Sequence, residues 1–305
     1  MHADAPRKNG GVGFAIAEPR ARVRISPARR LQVFDDRAHP MSQSEIIQLS
    51  KTIEGLLISL RLPIVPEIHI SGAMRTHVGM GSGTAIRLGA IEGTALLNGL
   101  QLPQSNLIAT SGRGGTSGVG INTYFAGGLV LDLGIPMDLA GYAPSSSVKA
   151  SRRPAALPSV PMPLWPMLLC VPRSIVPKTQ LQEVEFFKRT APLSPSASFE
   201  AAYLGLFNLY ASAVENDYPR FCRGVMAMQA TAWKQAEWSE YGRSLQFLRH
   251  QLVDHGLDCL GMSSLGPMLF CFGSPGVLAD INRNRDVLDC EIFQTIPSNL
   301  GRSWV

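Results

Sequence analysis

The chain lacks the cysteine patterns of a disulfide scaffold or a zinc protein. Its five Cys (Cys170, Cys222, Cys259, Cys271 and Cys290) are scattered, odd in number and never spaced as CxxC. No HExxH or other tight His/Cys spacing occurs among the six His, which excludes the common zinc motifs. No apolar run reaches the roughly 18 residues of a membrane helix. The opening "MHADAPRKNGG" carries no apolar stretch behind its basic residues, so it does not read as a signal peptide. A cytoplasmic protein without membrane association is expected. Lys and Arg total 28 against 23 Asp and Glu, but they form no basic tract and no strip interleaved with aromatics. That balance points to small phosphates and away from nucleic acid. An obvious acid–base pair is also missing.

What is present is an ordinary globular composition over 305 residues, 45% hydrophobic and 17% charged, enough for two modest domains. "GGVGFAIAEPRARVRI" and "LQVF" read as strands of an antiparallel sheet. "SQSEIIQLSKTIEGLLISLRLP" places Ile46, Ile47, Ile53, Leu56, Leu57 and Leu60 at helical spacing, with Ser at its start and Pro63 at its close. "EIHISG" is a short strand, and residues 82–98 form a Gly/Ala-rich helix ended by Asn98-Gly99. "INTYFAGGLVLDLG" is expected to be two strands meeting at Gly127-Gly128. The Pro/Ser-rich stretch 144–163 marks a boundary, giving domains 1–158 and 159–305. The second domain opens with the buried strand "LWPMLLCVP". It continues through helices in "TQLQEVEFFKRT", "SFEAAYLGLFNLYASAVEN", "YPRFCRGVMAMQATAWKQAEW" and "RSLQFLRHQLVDHG". "DCLGMSSLGPMLFCFG" reads as strand, turn and strand, "SPGVLADINRN" as a short helix and "CEIFQTIP" as a last strand. The class is α+β in two layers.

Three loops of small residues stand out: "HVGMGSGT" (77–84), "SGRGGTSGVG" (111–120) and "GMSSLGP" (261–267). None fits the P-loop or the dinucleotide fingerprint. "GMGSGT" leads straight into a helix, so Gly79, Gly81, Ser82, Gly83 and Thr84 can offer backbone N–H groups to phosphate at a helix N-terminus without a Lys. Tight turns and close helix–sheet contacts are the structural alternative.

"HVGMGSGT", "SGRGGTSGVG", "YFAGGLVLDLG" and "GMSSLGPMLF", with "RKNGGVGFAI", "AVENDYPRFCRGVMAMQ" and "IPSNLGR", together resemble the β-ribofuranosylaminobenzene 5′-phosphate synthase family. That family is a non-kinase branch of the GHMP-kinase superfamily, grouped with C-nucleoside synthases of formycin and pyrazofurin type. The resemblance covers nearly the whole chain. It implies a two-domain GHMP-kinase-like α+β fold, each domain an α/β sandwich. It also implies a pentosyltransferase acting on phosphoribosyl pyrophosphate and an aromatic carboxylic acid, with loss of pyrophosphate and CO2. Mg²⁺ would come with the pyrophosphate substrate, no organic cofactor is implied, and a homodimer is expected. With 4-aminobenzoate the reaction would be an early step towards methanopterin.

On this reading Arg113 is the forked phosphate donor, within a nest made by Gly112, Gly114, Gly115, Thr116 and Ser117. Arg7 and Asn9 join it as expected catalytic residues, because the family's amino-terminal Arg segment faces its active site. Lys8, His77, Ser263, Ser264 and Gly266 are expected to bind substrate. Plain alternatives stand beside these roles: a carboxylate partner for Arg113, solvated charges for Arg7 and Lys8, a satisfied structural His77, and turn capping by Ser263 and Ser264.

The chain departs from the family at Thr116, where a basic residue is frequent, and after Phe125, where an acidic residue is usual. Both departures point to a different acceptor and leave 4-aminobenzoate and a heteroaromatic acid open. An ATP-dependent GHMP-type kinase is the runner-up, although Arg75 and Gly83 replace the Pro and the second Ser of the kinase loop P-x-x-x-G-L-G-S-S. An inactive ligand-binding homologue is the third reading. The family's Asp-Met pair would place Met at Met1 and Asp just before it, with a first strand further upstream. An open frame running about 15–25 residues upstream and ending in an Asp codon is therefore expected from usual strand and loop lengths. Sequencing the upstream DNA checks it, and an in-frame stop codon close to Met1 would contradict it.

Overall fold

The computed structural model describes residues 7–113, 118–136 and 154–305. Internal contacts divide the chain into two compact units, Pro19–Arg113 and Met1–Glu18 with Gly114–Val305. The boundary expected at 144–163 falls partly on residues 137–153, outside the described residues. In chain order the elements open with β1 (Arg7–Lys8), β2 (Gly11–Phe14), β3 (Ala21–Ala28), β4 (Gln32–Asp35) and α1 (Gln43–Ser59). Then come β5 (Val65–Gly72), α2 (Ser82–Leu97), α3 (Gln104–Ser111), α4 (Val119–Ala126), β6 (Leu129–Asp132) and β7 (Ile135–Pro136). They continue with β8 (Met167–Pro172), α5 (Gln180–Thr190), α6 (Pro195–Tyr203), a π-helical stretch (Leu204–Tyr210), α7 (Ala211–Glu215) and α8 (Tyr218–Ala230). The last are α9 (Ala232–Asp254), β9 (Cys259–Met262), β10 (Leu269–Phe272), α10 (Pro275–Arg283) and β11 (Cys290–Thr295). No described helix is long and apolar enough to cross a membrane.

In Pro19–Arg113, the sheet has the order β3-β5-β4. β3 runs antiparallel to β5, whereas β4 lies parallel to it, which corrects the expectation of a wholly antiparallel arrangement. The parallel pairing follows from the 17-residue α1 between β4 and β5, since parallel neighbours need a long crossover, usually a helix. Ser42 and Glu45 close a capping box on α1, which buries Leu49, Ile53 and Leu56 along one face. Burying such side chains contributes about 1.5–3 kcal/mol each. α2 buries Gly89, Ala90, Gly93 and Ala95, small residues that let it lie close to β3 as the composition implied.

In the other unit the sheet runs β11-β8-β10-β9, antiparallel throughout. β8 is buried along its whole length. One face carries Leu168, Cys170, Leu260, Leu269 and Cys271 against Trp238, Leu245, Leu248 and Leu252 of α9 and Leu278 and Ile281 of α10. The other meets α8, where the rings of Phe221 and Phe272 lie edge to face at 5.6 Å. β2 pairs with β6 and β1 with β7, both antiparallel.

"INTYFA" is the helix α4 and not the expected strand. Asn122 donates to the Gly118 carbonyl and Thr123 to the Val119 carbonyl, so both side chains bond back along helical turns. Ile121 and Tyr124, three apart, supply its buried stripe, and Gly127, at φ 68°, ends it.

Gly134 has φ +67°, and a Cβ there would lie 2.1 Å from the Lys8 carbonyl oxygen. The Gly134→Ala variant is expected to lose at least about 2 kcal/mol of stability from strain and displacement of β1. Urea unfolding checks this, and an unchanged midpoint would contradict the close approach.

Candidate functional site

The loop leading into α2 is fixed at two points by charged groups. Arg37 grips Asp35 in a fork, Nε to Oδ1 at 2.8 Å and Nη2 to Oδ2 at 2.6 Å, with both side chains 1% exposed. Its Nη1 donates to the Met74 carbonyl at 2.7 Å, while Asp35 accepts the Met41 N–H at 2.8 Å. Burial alone would raise the Asp35 carboxyl; the bonds from Arg37 and Met41 outweigh it and hold it below its ordinary value. Three residues on, His77 stands in the left-handed region at φ 60°, with Nε2 2.8 Å from Glu45 Oε1. Glu45 thus caps α1 and orients the loop with one carboxylate. The His77 bond, helped by Ser42 and opposed by burial, holds it down to about 2.

Beyond His77 the backbone turns through Gly79 (φ 97°) and Gly81 (φ 70°). Gly81 is the N-cap of α2 and offers no side chain to its first N–H groups. The expected phosphate position, Gly81 to Thr84 with Ser82 buried, is therefore a helix N-terminus in fact. A Cβ on Gly83 would lie 3.4 Å from Arg113 Nη2, which places that guanidinium over the first turn. Gly112 (φ 63°) ends α3 in the left-handed conformation. The Arg113 N–H donates to Ser111 Oγ at 3.1 Å, and that hydroxyl donates to the Ile108 carbonyl at 2.7 Å. Gly114, Gly115, Thr116 and Ser117 lie outside the described residues.

Arg87, one turn along α2 from Gly83, was not singled out from the sequence. Burial and repulsion from Arg113 lower its pKa, partly countered by Glu45, and its Nη1 donates to Thr52 Oγ1 at 3.2 Å. The Arg113 guanidinium stands over a helix N-terminus, with a second guanidinium close enough to feel its charge, a combination suited to an anion of more than one charge.

The other unit holds the remaining expected residues in two places. Arg7 donates from Nε to the Leu133 carbonyl at 2.8 Å and from Nη2 to that of Gly134 at 2.7 Å, so it clamps backbone. Lys8 and Asn9 are 2% and 3% exposed, which overturns the solvated-charge alternative for Lys8. Beside this segment is Asp132, also missed in the sequence. It is fully buried and accepts the N–H groups of Gly118 at 2.7 Å and Gly134 at 3.0 Å.

In the turn after β9, the Ser263 N–H donates to the Met268 carbonyl at 3.0 Å, Ser264 is exposed and Gly266 buried. Leu265 between them takes φ 43°. Its side chain packs with Phe186, Phe187 and Trp233. Its N–H reaches Glu237 Oε1 at 3.3 Å, and its carbonyl accepts the Tyr241 hydroxyl at 2.5 Å. Glu237, fully buried, is held by Lys234 Nζ at 2.6 Å and Trp233 Nε1 at 3.0 Å. The spacing 234, 237 and 241 on one helix face was the available signal.

No family model matches the chain. Homoserine kinase from Cytophaga hutchinsonii superposes with TM-score 0.66 at 17% identity, covering 95% of this chain and 90% of that one. Mevalonate kinase from L. major gives TM-score 0.63 at 16% identity, covering 96% and 91%. The fold is that of the GHMP kinases. In sequence, however, the chain is similar to β-ribofuranosylphenol 5′-phosphate synthases. The Archaeoglobus fulgidus protein is 29% identical, with 88% of this chain and 82% of that protein aligned. The Methanocaldococcus jannaschii protein is 24% identical over 99% and 94%. Those names specify a phenol riboside, where the resemblance in the sequence was to a family named for an aminobenzene riboside.

The depressed Glu45 value carries a sign. A carboxylate at about 2 in the folded chain, against an ordinary 4.5, stabilises fully above pH 4.5 and loses that contribution as pH falls towards 2. The stability difference between wild type and Glu45→Gln should therefore shrink across this window in urea titrations. A difference that stays constant there would contradict the Glu45–His77 contact.

Proposed function

We propose that the chain is a ribosyl-transferring enzyme that joins C1 of phosphoribosyl pyrophosphate to the ring of an aromatic carboxylic acid. The observation that carries this reading is the Arg113 guanidinium over the first turn of α2, with Arg87 one turn further on. The similarity to ribofuranosylphenol phosphate synthases supports it.

In the proposed reaction the C1–O bond to pyrophosphate breaks, leaving positive charge on the ribose and negative charge on the departing group. Preorganised donors at such a position are worth about 3–4 kcal/mol each; the α2 N–H groups, Arg113 and Arg87 are those donors. The ring carbon bearing the carboxylate then attacks C1, helped by an electron-donating hydroxyl or amino group para to it. The carbon–carboxylate bond breaks, CO2 leaves and the electron pair restores aromaticity. The electron count closes without an organic cofactor or a strong general base. Holding the acceptor carbon near C1 supplies much of the remaining acceleration. Mg²⁺ is part of the donor substrate, carried on pyrophosphate oxygens in its usual manner. A 4-hydroxybenzoate acceptor follows the relatives' names, with 4-aminobenzoate or a heteroaromatic acid as the other candidates. In this proposal Arg7 and Asn9 keep their expected catalytic roles, and Lys8, Ser263, Ser264 and Gly266 their substrate-binding roles.

The fold likeness to homoserine and mevalonate kinases favours one competing reading, a small-molecule kinase. Calorimetry separates the two. Phosphoribosyl pyrophosphate with Mg²⁺ should bind and ATP with Mg²⁺ should not. Arg113→Ala should weaken the sugar ligand by roughly 1.5–3 kcal/mol, the worth of a hydrogen bond to a charged group, with unchanged circular dichroism. Micromolar ATP binding with no response to the sugar pyrophosphate would refute the proposal.

A further inference from the structure

Two cysteines that the proposed reaction does not use face each other between α8 and β9. The Tyr218 hydroxyl donates to Asp258 Oδ2 at 2.7 Å, which sets the first turn of α8 against the residue before β9. One helical turn on, Cys222 comes beside Cys259, the next residue of the chain after Asp258, and each thiol influences the other's ionisation. At the far end of α8, Gln229 Oε1 accepts the Met262 N–H at 3.1 Å, so helix and strand stay matched along their length.

The two sulfurs have unequal surroundings. Cys222 lines a cavity of about 500 Å³ together with Tyr218, Pro219, Arg223, Met226 and Asp258, whereas Cys259 does not line it. The adjacent Cys259 thiol, with Tyr218 and the positive charge of Arg223, lowers the Cys222 thiol against the effects of burial and of the Asp258 carboxylate. The Cys222 neighbour and burial push Cys259 well up. One thiol is thus disposed to ionise at a cavity wall and the other to stay protonated behind it, the division between an attacking and a resolving cysteine.

We propose that Cys222 and Cys259 form a peroxide-oxidisable dithiol, independent of the ribosyl-transfer reading. The Cys222 thiolate attacks an oxygen of a peroxide ROOH that enters through the cavity. The O–O bond breaks, leaving Cys222 as a sulfenic acid and releasing ROH. The Cys259 sulfur then attacks Cys222 Sγ; the S–S bond forms, the S–O bond breaks, and water leaves with the Cys259 proton. Two thiols and one peroxide give one disulfide, one alcohol and one water. A small-molecule dithiol reverses the change by exchange.

The other three cysteines are an internal control. Cys170, Cys271 and Cys290 sit at 0% exposure, in the apolar cluster on the opposite face of the same sheet. Cys170 and Cys271 are also neighbours, on adjacent strands of that face, so thiol proximity alone does not separate the pairs; access through the cavity does.

Hydrogen peroxide applied to the folded protein, followed by quenching, thiol counting in denaturant and peptide mapping, tests the proposal. Of the five thiols, two should be lost together, appearing as a Cys222–Cys259 cross-linked peptide that dithiothreitol restores. In Cys259→Ser, a sulfenic-acid trap such as dimedone should label Cys222. Wild-type mapping decides the matter even if a variant fails to fold. Retention of all five thiols, oxidation first at Cys170, Cys271 or Cys290, or dimedone on Cys259 instead of Cys222 would overturn it.

Discussion

Everything at the candidate phosphate position depends on holding positive charge against positive charge. Arg87 and Arg113 repel one another at the end of a helix that is itself positive. The two residues are anchored separately. Arg113 follows directly on α3, its N–H secured by Ser111, while Arg87 leans on Thr52 of α1. A polyanionic ligand relieves the repulsion, which is the physical sense in which this position is prepared.

Two loops that carry expected binding residues, one in each unit, are built by the same means. Arg37 and Asp35 grip Met74 and Met41; Glu237 and Tyr241 grip the two polar groups of Leu265. Buried ion pairs contribute little net stability, yet losing one partner costs about 3–5 kcal/mol. Such pairs fit a role in position better than one in stability. Asp132 does comparable work with two backbone N–H groups, at Gly118 and Gly134.

Much of this was legible because local and tertiary preferences agree. The Ser start of α1, the unbroken apolar run of β8 and the Ser/Gly turn between β9 and β10 each have one reading. α4 was misread because Ile121, Thr123, Tyr124 and Phe125 favour strands, and only the side-chain bonds of Asn122 and Thr123 with the burial of Ile121 and Tyr124 decide for helix. The parallel placement of β4 is a property of the crossover, not of the four residues in it. Arg87 and Asp132 are isolated charges in apolar or small-residue segments, and their partners are backbone groups or side chains distant in sequence. Glu237 differs: its partners Lys234 and Trp233 lie on its own helix, so only its hold on Leu265 was hidden from the sequence. Ser at the start of α1 was legible, but Glu45 as its capping partner was not read, and nothing local tied Glu45 to His77, 32 residues away.

Formation of a carbon–carbon bond is the step that separates a synthase of this kind from a kinase. Incubation with phosphoribosyl pyrophosphate, Mg²⁺ and carboxyl-¹³C-labelled 4-hydroxybenzoate, 4-aminobenzoate or heteroaromatic acids reads this directly by NMR. The account predicts labelled CO2 released in step with pyrophosphate, and a riboside whose C1 is coupled to a ring carbon and survives acid. Label retained in every aromatic acid, together with phosphate transfer from ATP to a small-molecule alcohol, would contradict it.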